Sequence, residues 1–359
     1  MRSTHNNSIN SREADRDLRR YAQWSLLFMA LVLVVGVLQY TQAILAPLTL
    51  AIIVGLVFGP LADRIESVGM PVWMSAMFAV VLFVIVIVAA IAGFAVPLSE
   101  WMDRLPLIWS RLQAELVNWK GFIAAMTNLQ DQFNEIAGQS PTDVTVSVSE
   151  TNTVTQVAYL APSLMAQIIL FLAGLFFYTA TRHPIRQSLV AKLTSTRRGS
   201  RLAFMFTEIE RQLSGYMLHI TAINLVLAAV VTSALWMIDV PSPILWGLMA
   251  GVLNFVIYVG PAVMTCILLA VGLAISNQPS DIIAPAAIYL VINFLEAQFV
   301  TPMLLGKVTT INPFLIFLSL VFWIWLWGPV GGFVAVPILM ICHAVLKYIR
   351  PDNNSTDTD

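Results

Sequence analysis

The chain has 359 residues, of which 58% are hydrophobic and only 11% are charged, and its mean hydropathy is +0.80. This composition excludes an ordinary soluble domain and predicts an all-α membrane protein with about six to eight spans. The lipid bilayer is therefore the first predicted partner. Nucleic-acid binding has no support, because the positive-inside rule of membrane proteins accounts for the one Arg-rich loop.

The N-terminal part of the chain predicts a basic tail followed by three membrane helices. Five arginines lie within residues 1–23. Because Lys and Arg collect on the cytoplasmic flanks of membrane helices, this tail is predicted to be cytoplasmic. Within the region 24–96, the apolar runs at 24–39, 44–59 and 72–96 are the predicted helices, and the first two form a helical hairpin.

The next two polar stretches differ in charge and are predicted to lie on opposite sides of the membrane. Residues 97–157 carry few basic groups and are predicted to face outward, as an amphipathic helix with a tryptophan-rich apolar face and a linker. A membrane helix is predicted at 158–181. The insert 182–214 carries seven Lys and Arg residues and is predicted to be a cytoplasmic amphipathic segment.

The C-terminal region, 215–348, contains two long apolar runs that are each interrupted near the middle. The runs at 243–276 and 313–346 have 34 residues each. A straight helix of that length would measure roughly 50 Å, against roughly 30 Å of hydrocarbon. Each run is therefore predicted to re-enter and return to its own side, and the alternative is a complete crossing around a break. The last residues, 349–359, are predicted to be a disordered tail.

Interrupted apolar segments in matched positions indicate the substrate site of a transporter. Backbone that Gly and Pro release at membrane depth must be buried by protein or wetted by a cavity. Glycine also permits a tight reversal or a close approach of two helices. The residues predicted to form hinges and broken-helix elbows are Gly260, Pro261, Pro302, Gly306, Pro313, Gly328, Gly331, Gly332 and Pro337.

Four polar residues of this region are candidate ligands for a solute or an ion. Glu296 is the one clearly intramembrane acid, and a charge there is costly enough to indicate function. Asn293 lies on the same helical face, and Asn254 and Tyr258 share a face just before the first break. The structural alternative is a protonated or Lys307-paired carboxylate, with amides that join neighbouring helices.

Other chemistry has no support in the sequence. His219 and His343 each stand alone, and Asn224 is interpreted as a packing group. No metal-ligand spacing, phosphate loop or nucleophile with a base is present. We therefore predict no catalytic residue, no metal site, no cofactor and no enzymatic activity.

Several stretches of the C-terminal region resemble one known family. They are NFVIYVGP at 254–261, LEAQFVTPMLLGK at 295–307 and GPVGGFVAVP at 328–337, together with Asn312 and Pro313. These stretches are similar to the autoinducer-2 exporter family of bacterial inner-membrane proteins. The resemblance implies an oligomeric multi-span permease, with some members linked to autoinducer-2 export and others to sodium–proton exchange. Ile257 departs from the pattern, because relatives commonly have proline there.

The resulting prediction is a secondary transporter, or permease, in the bacterial inner membrane. It would move a small polar organic solute by alternating access of the broken-helix region. Molecules like autoinducer-2 are the first candidates for this solute. The alternative is a cation–proton antiporter, sodium foremost, in which Glu296 exchanges the ions. A non-transport scaffold would leave both breaks unexplained. We expect a homo-oligomer with both termini in the cytoplasm, and the sequence leaves direction and coupling ion open.

Overall fold

The computed structural model describes residues 3–134, 153–193, 197–305 and 311–349. These ranges are almost entirely helical and contain no β-strand, which confirms the predicted all-α class. Most of the predicted linker after the outward helix, and the tail from residue 350, lie outside them. The helices are α1 (Ser3–Tyr40), α2 (Gln42–Ser67), α3 (Val72–Asn134), α4 (Thr153–Leu193), α5 (Arg197–Met237), α6 (Pro243–Leu253), α7 (Val259–Ile275), α8 (Pro279–Leu295), α9 (Thr301–Leu305) and α10 (Pro313–Ile349).

Seven helical stretches within the described residues are long and apolar enough to cross a membrane, which confirms a multi-pass membrane protein. The α6 and α7 helices are shorter, with 11 and 17 residues. A π-helical segment, Glu296–Val300, joins α8 to α9. The seven stretches are Arg20–Tyr40, Gln42–Ser67, Val72–Ala95, Pro162–Ile185, Leu202–Met237, Pro279–Leu304 and Pro313–Leu346.

The first broken run folds back on itself as a helical hairpin, hairpin 1, built from α6 and α7. Trp246 of α6 and Met264 and Leu268 of α7 belong to one buried apolar cluster. At the elbow, Gly260 lies so close to the Leu253 carbonyl that a Cβ would overlap it. Glycine is therefore required here for the close approach of the two arms.

The second broken run is also a hairpin, hairpin 2, formed within α10. The backbone of Gly328 has φ 60° and ψ −141°, which is not helical and is open to glycine alone. The Ser319 hydroxyl donates to the Ala335 carbonyl at 3.1 Å although 16 residues separate them. A straight helix would hold them roughly 24 Å apart, so the arms run back along each other.

Gly331 and Pro337 of hairpin 2 differ in what they contribute. A Cβ on Gly331 would overlap the carbonyl of Trp323 in the first arm, so this glycine also serves close approach. Pro337 lies within the second arm, and the helix continues beyond it to Ile349. Both broken runs thus reverse direction, as re-entrant segments do, and they open at opposite ends of the span Pro279–Leu304 that separates them.

The tips of the two hairpins meet inside the molecule. The rings of Phe255 and Phe333 lie with their centroids 5.7 Å apart. A Cβ on Gly332 would lie 2.9 Å from Cγ1 of Val256, so the third elbow glycine serves this contact between the hairpins. At the elbow of hairpin 2, Trp327 Nε1 donates to the Leu38 carbonyl of α1 at 3.2 Å.

Helix α3 continues far beyond its membrane-spanning part, Val72–Ala95, and its continuation packs on hairpin 1. The indole rings of Trp101 and Trp246 meet edge to face with their centroids 5.0 Å apart. The Arg111 guanidinium donates to the Leu273 carbonyl near the end of α7 at 2.7 Å. The continuation of α3 is therefore held against hairpin 1 by a ring contact and a hydrogen bond.

Candidate functional site

A cavity of about 540 Å³ lies beside the tip of hairpin 1, between α5, α8, the π segment and hairpin 2. It brings together the four residues that were predicted as ligands: Asn254, Tyr258, Asn293 and Glu296. None of the described residues that line it is Lys, Arg or His. The other described lining residues are Tyr216, Ile220, Ile257, Pro261, Ala297, Gln298, Thr301, Ile316 and Val336.

The π segment positions Glu296 in this cavity. The Thr301 N–H bonds to the carbonyl of Glu296, five residues earlier. Pro302 accounts for the wider turn, because it has no N–H for the Gln298 carbonyl and its ring would clash with that group in an α-helix. The Glu296 side chain is buried, and the Thr301 hydroxyl donates to its carboxylate. Lys307, the partner considered from the sequence, lies outside the described residues.

Tyr258 occupies a strained turn at the tip of hairpin 1. Its φ of 64° and ψ of −50° are rare for a residue with a side chain. The Val259 N–H bonds to the Ile257 carbonyl at 2.8 Å, which makes this a γ-turn with positive φ. Such strain concentrates at functional sites. The turn leaves the phenol half exposed at the cavity.

A chain of three amides joins hairpin 1 to the helices on either side. Asn293 Nδ2 of α8 donates to Asn254 Oδ1 at 3.1 Å, and Asn254 Nδ2 donates to Asn224 Oδ1 of α5 at 2.9 Å. Sequence reasoning missed this role for Asn224. Its signal was an amide in the middle of an apolar span, where a buried polar group needs a partner.

The remaining predicted hinge residues have separate positions. Pro261 lines the cavity directly after the γ-turn, and Pro302 follows the π segment. Pro313 is the first residue of α10, where a missing N–H is tolerated. Gly306 lies outside the described residues.

A second polar cluster lies away from the cavity, at the far ends of α2 and α4. Asp63, Glu66 and His183 bring their ligand atoms within 4.8 Å of one another. No spacing motif could reveal this group, because the fold supplies it from helices over 100 residues apart. The Arg182 guanidinium already pairs with Asp63 at 2.6 Å, and Ser75 of α3 donates to Glu66 at 2.7 Å. The cluster therefore joins three helices by ion pairs and hydrogen bonds, and we assign no metal to it.

A helical membrane bundle in which two opposed hairpins meet beside a polar cavity is the architecture of a membrane transporter. The comparison with known proteins agrees, because the pattern described as AI-2E family transporter matches residues 26–351. The chain belongs to this family, as its C-terminal motifs predicted.

Two named relatives align over most of the chain, and a third aligns over about half of it. The AI-2 transport protein TqsA of Escherichia coli K12 is 23% identical over 322 residues, which is 90% of each chain. YhhT of the same strain, described as a candidate transport protein, is 22% identical over 88% of each chain. YrrI of Bacillus subtilis, described in the same way, is 25% identical over 48% of this chain and 47% of its own length.

Proposed function

We propose that the protein is a secondary transporter that binds a small polar organic solute, of the autoinducer-2 type, in the cavity at the tip of hairpin 1. The observation that carries this proposal is the convergence of Asn254, Tyr258, Asn293 and Glu296 on that one cavity. Its described lining has no cationic side chain, which disfavours phosphorylated and other anionic solutes. The similarity to TqsA, an AI-2 transport protein, supports AI-2 as the first solute to test.

The distribution of basic residues supports an orientation with both termini in the cytoplasm of a bacterial inner membrane. Arginines crowd residues 1–23 and Lys and Arg crowd 182–211, the sides that the positive-inside rule assigns to the cytoplasm. Tyr216 then lies in the inner half of α5, and Glu296 in the inner half of the span Pro279–Leu304. The cavity is accordingly nearer the cytoplasm, and outward access requires the hairpin tips to part.

The test is uptake of AI-2 by liposomes that contain the purified protein, with and without an imposed sodium or proton gradient. Ile316→Trp, which fills the cavity from its apolar wall, should abolish most of the uptake. Phe317→Trp is the matched control, because the neighbouring Phe317 is exposed on the outside of the bundle. Wild-type uptake by the Ile316→Trp protein would show that the solute does not pass through this cavity.

Cation–proton antiport is the second candidate, and the buried carboxylate of Glu296 favours it. A carboxylate with hydroxyl and amide oxygens nearby is a suitable ligand set for a hard cation such as sodium. Sodium added to liposomes should then move protons, read with a pH-sensitive dye inside the vesicles. AI-2 uptake without any proton movement on sodium addition would leave the solute transporter as the sole candidate.

We also infer a homo-oligomer, because the span Arg20–Tyr40 of α1 has no buried residue within the protomer. A helix that is apolar all round and covered by so little of its own chain needs lipid or another subunit as a neighbour. Mass measurement of the protein in detergent, with the detergent contribution subtracted, distinguishes a monomer from an oligomer.

A further inference from the structure

Asn224 is a buried amide with half of its hydrogen-bonding capacity unused. Its side chain is only 2% exposed, its Oδ1 accepts from Asn254, and its Nδ2 has no partner among the described residues. A buried N–H group without a partner is costly, and such a group in a native protein requires an explanation. Asn224 does not line the cavity, so direct solute binding is not that explanation.

The amide chain carries the orientation of Asn224 to the cavity. Each amide has a donor at one end and an acceptor at the other, so the orientation of one amide fixes the next. Asn254 uses its Nδ2 for Asn224 and its Oδ1 for Asn293. Because one N–H of the Asn293 amide is engaged by Asn254, its Oδ1 is the acceptor left for a solute.

Helix α5 and hairpin 1, which carry the hydrogen bond between Asn224 and Asn254, are in close contact beside that bond. A Cβ on Gly251 of α6 would lie 2.7 Å from the backbone carbonyl oxygen of Asn224 and 3.0 Å from the Cβ of Ala228. Hairpin 1 therefore lies directly on α5 at this point. The Asn254 side chain, three residues further along, is held within reach of Asn224.

We propose that Asn224 is a positioning residue that sets the hydrogen-bonding character of the cavity wall from outside the cavity. By accepting from Asn254, it makes Asn293 present an acceptor beside the Glu296 carboxylate, and this wall selects solutes that donate hydrogen bonds. If all three amides turned over, both bonds would survive, and Asn293 would present a donor instead. The acceptor that position 224 offers to Asn254 favours the first of these orientations, and this inference rests on the proposed function of the cavity.

Two substitutions at one position separate this role from simple packing. Asn224→Asp keeps the acceptor for Asn254 at nearly the same volume, whereas Asn224→Leu keeps the branched shape with a somewhat larger volume and removes the acceptor. The Leu variant should raise the KM for AI-2 uptake about fivefold, the effect of one neutral hydrogen bond, with the maximal rate nearly unchanged. The Asp variant should keep the wild-type KM even though its buried carboxyl lowers the unfolding temperature. If KM rises in both variants in step with the fall in unfolding temperature, the positioning role is wrong.

A thermal double-mutant cycle tests the coupling between the three amides without a transport assay. Asn224→Leu and Asn293→Leu share Asn254 as their partner, so the shift in unfolding temperature of the double variant should be smaller than the sum of the single shifts. Thr232→Val is the control, because Thr232 faces Gly247 at the same interface of α5 and α6 but is not one of the three linked amide residues or bonded to them. Its shift should add to that of Asn293→Leu.

The two experiments fail in distinguishable ways. Additive shifts for Asn224→Leu and Asn293→Leu would overturn the proposal even in a protein that transports AI-2. Non-additive shifts in a protein without AI-2 uptake would support the amide chain and reject AI-2 as the solute.

Discussion

Gly331→Ala should force the arms of hairpin 2 apart by roughly an ångström at the elbow. The added Cβ would overlap the Trp323 carbonyl, and backbone atoms cannot rotate away as a flexible side chain can. Overpacking of this kind costs about 1–3 kcal/mol, while replacing a helical glycine by alanine returns about 0.5–1 kcal/mol. We expect a net loss of about 1–2 kcal/mol in the free energy of unfolding. Transport should fall as well, because the adjacent Gly332 contacts the tip of hairpin 1.

Thermal unfolding in nanodiscs and solute uptake in liposomes together measure this prediction. The unfolding temperature of the Gly331→Ala protein should fall by a few degrees. Gly36→Ala in α1 is the control, because no atom lies within 4 Å of its added Cβ, and its unfolding temperature should be unchanged or slightly higher. If the Gly331→Ala protein unfolds and transports like the Gly36→Ala protein, the two arms of hairpin 2 do not fold back as described.

Three further outcomes test other parts of the structure. Glu296→Gln should preserve folding but abolish any sodium-dependent proton movement in liposomes; unchanged movement would remove Glu296 from ion coupling. Arg182→Met should lower the free energy of unfolding by about 1 kcal/mol, because it removes the ion pairs with half-exposed Asp63 and partly buried Glu66, while Glu66 keeps its hydrogen bond from Ser75; an unchanged unfolding temperature would contradict this. In a protein whose own cysteines are replaced by serine, Phe255 and Phe333 are both changed to cysteine and joined by a short thiol cross-linker. We expect the cross-link to stop solute uptake, and continued uptake would show that the hairpin tips do not part during transport.

Residue types alone predicted much of the C-terminal region. Gly and Pro marked both breaks, since each has a backbone property that no other residue shares. The carboxyl of Glu296 and the amides at Asn254 and Asn293 stood out because polar groups are rare and costly at membrane depth. The structure places these three on one cavity. What the cavity binds stays a prediction.

Other features depend on tertiary packing and could not be predicted from local patterns. The partner of Asn254 is Asn224, 30 residues earlier, and many polar groups could have served. A hairpin that reverses at Gly328 and a segment that crosses completely would have the same hydropathy profile, so only the contacts between the two arms distinguish these arrangements. Helix α3 also continues through Pro97 and Pro106, where sequence rules favour a boundary.

The distribution of hydrogen bonds around the cavity indicates which contacts can change during transport. The polar wall belongs to α5, hairpin 1 and α8, which the amide chain joins. Hairpin 2 contributes only the apolar Ile316 and Val336 to the described lining. Among the described residues, no hydrogen bond joins hairpin 2 to hairpin 1 or to α8, and the ring contact of Phe255 with Phe333 closes the gap between the tips. Because dispersion contacts are individually weak and easily reformed, we expect hairpin 2 to move against an intact polar wall, so that access changes while the solute ligands keep their geometry.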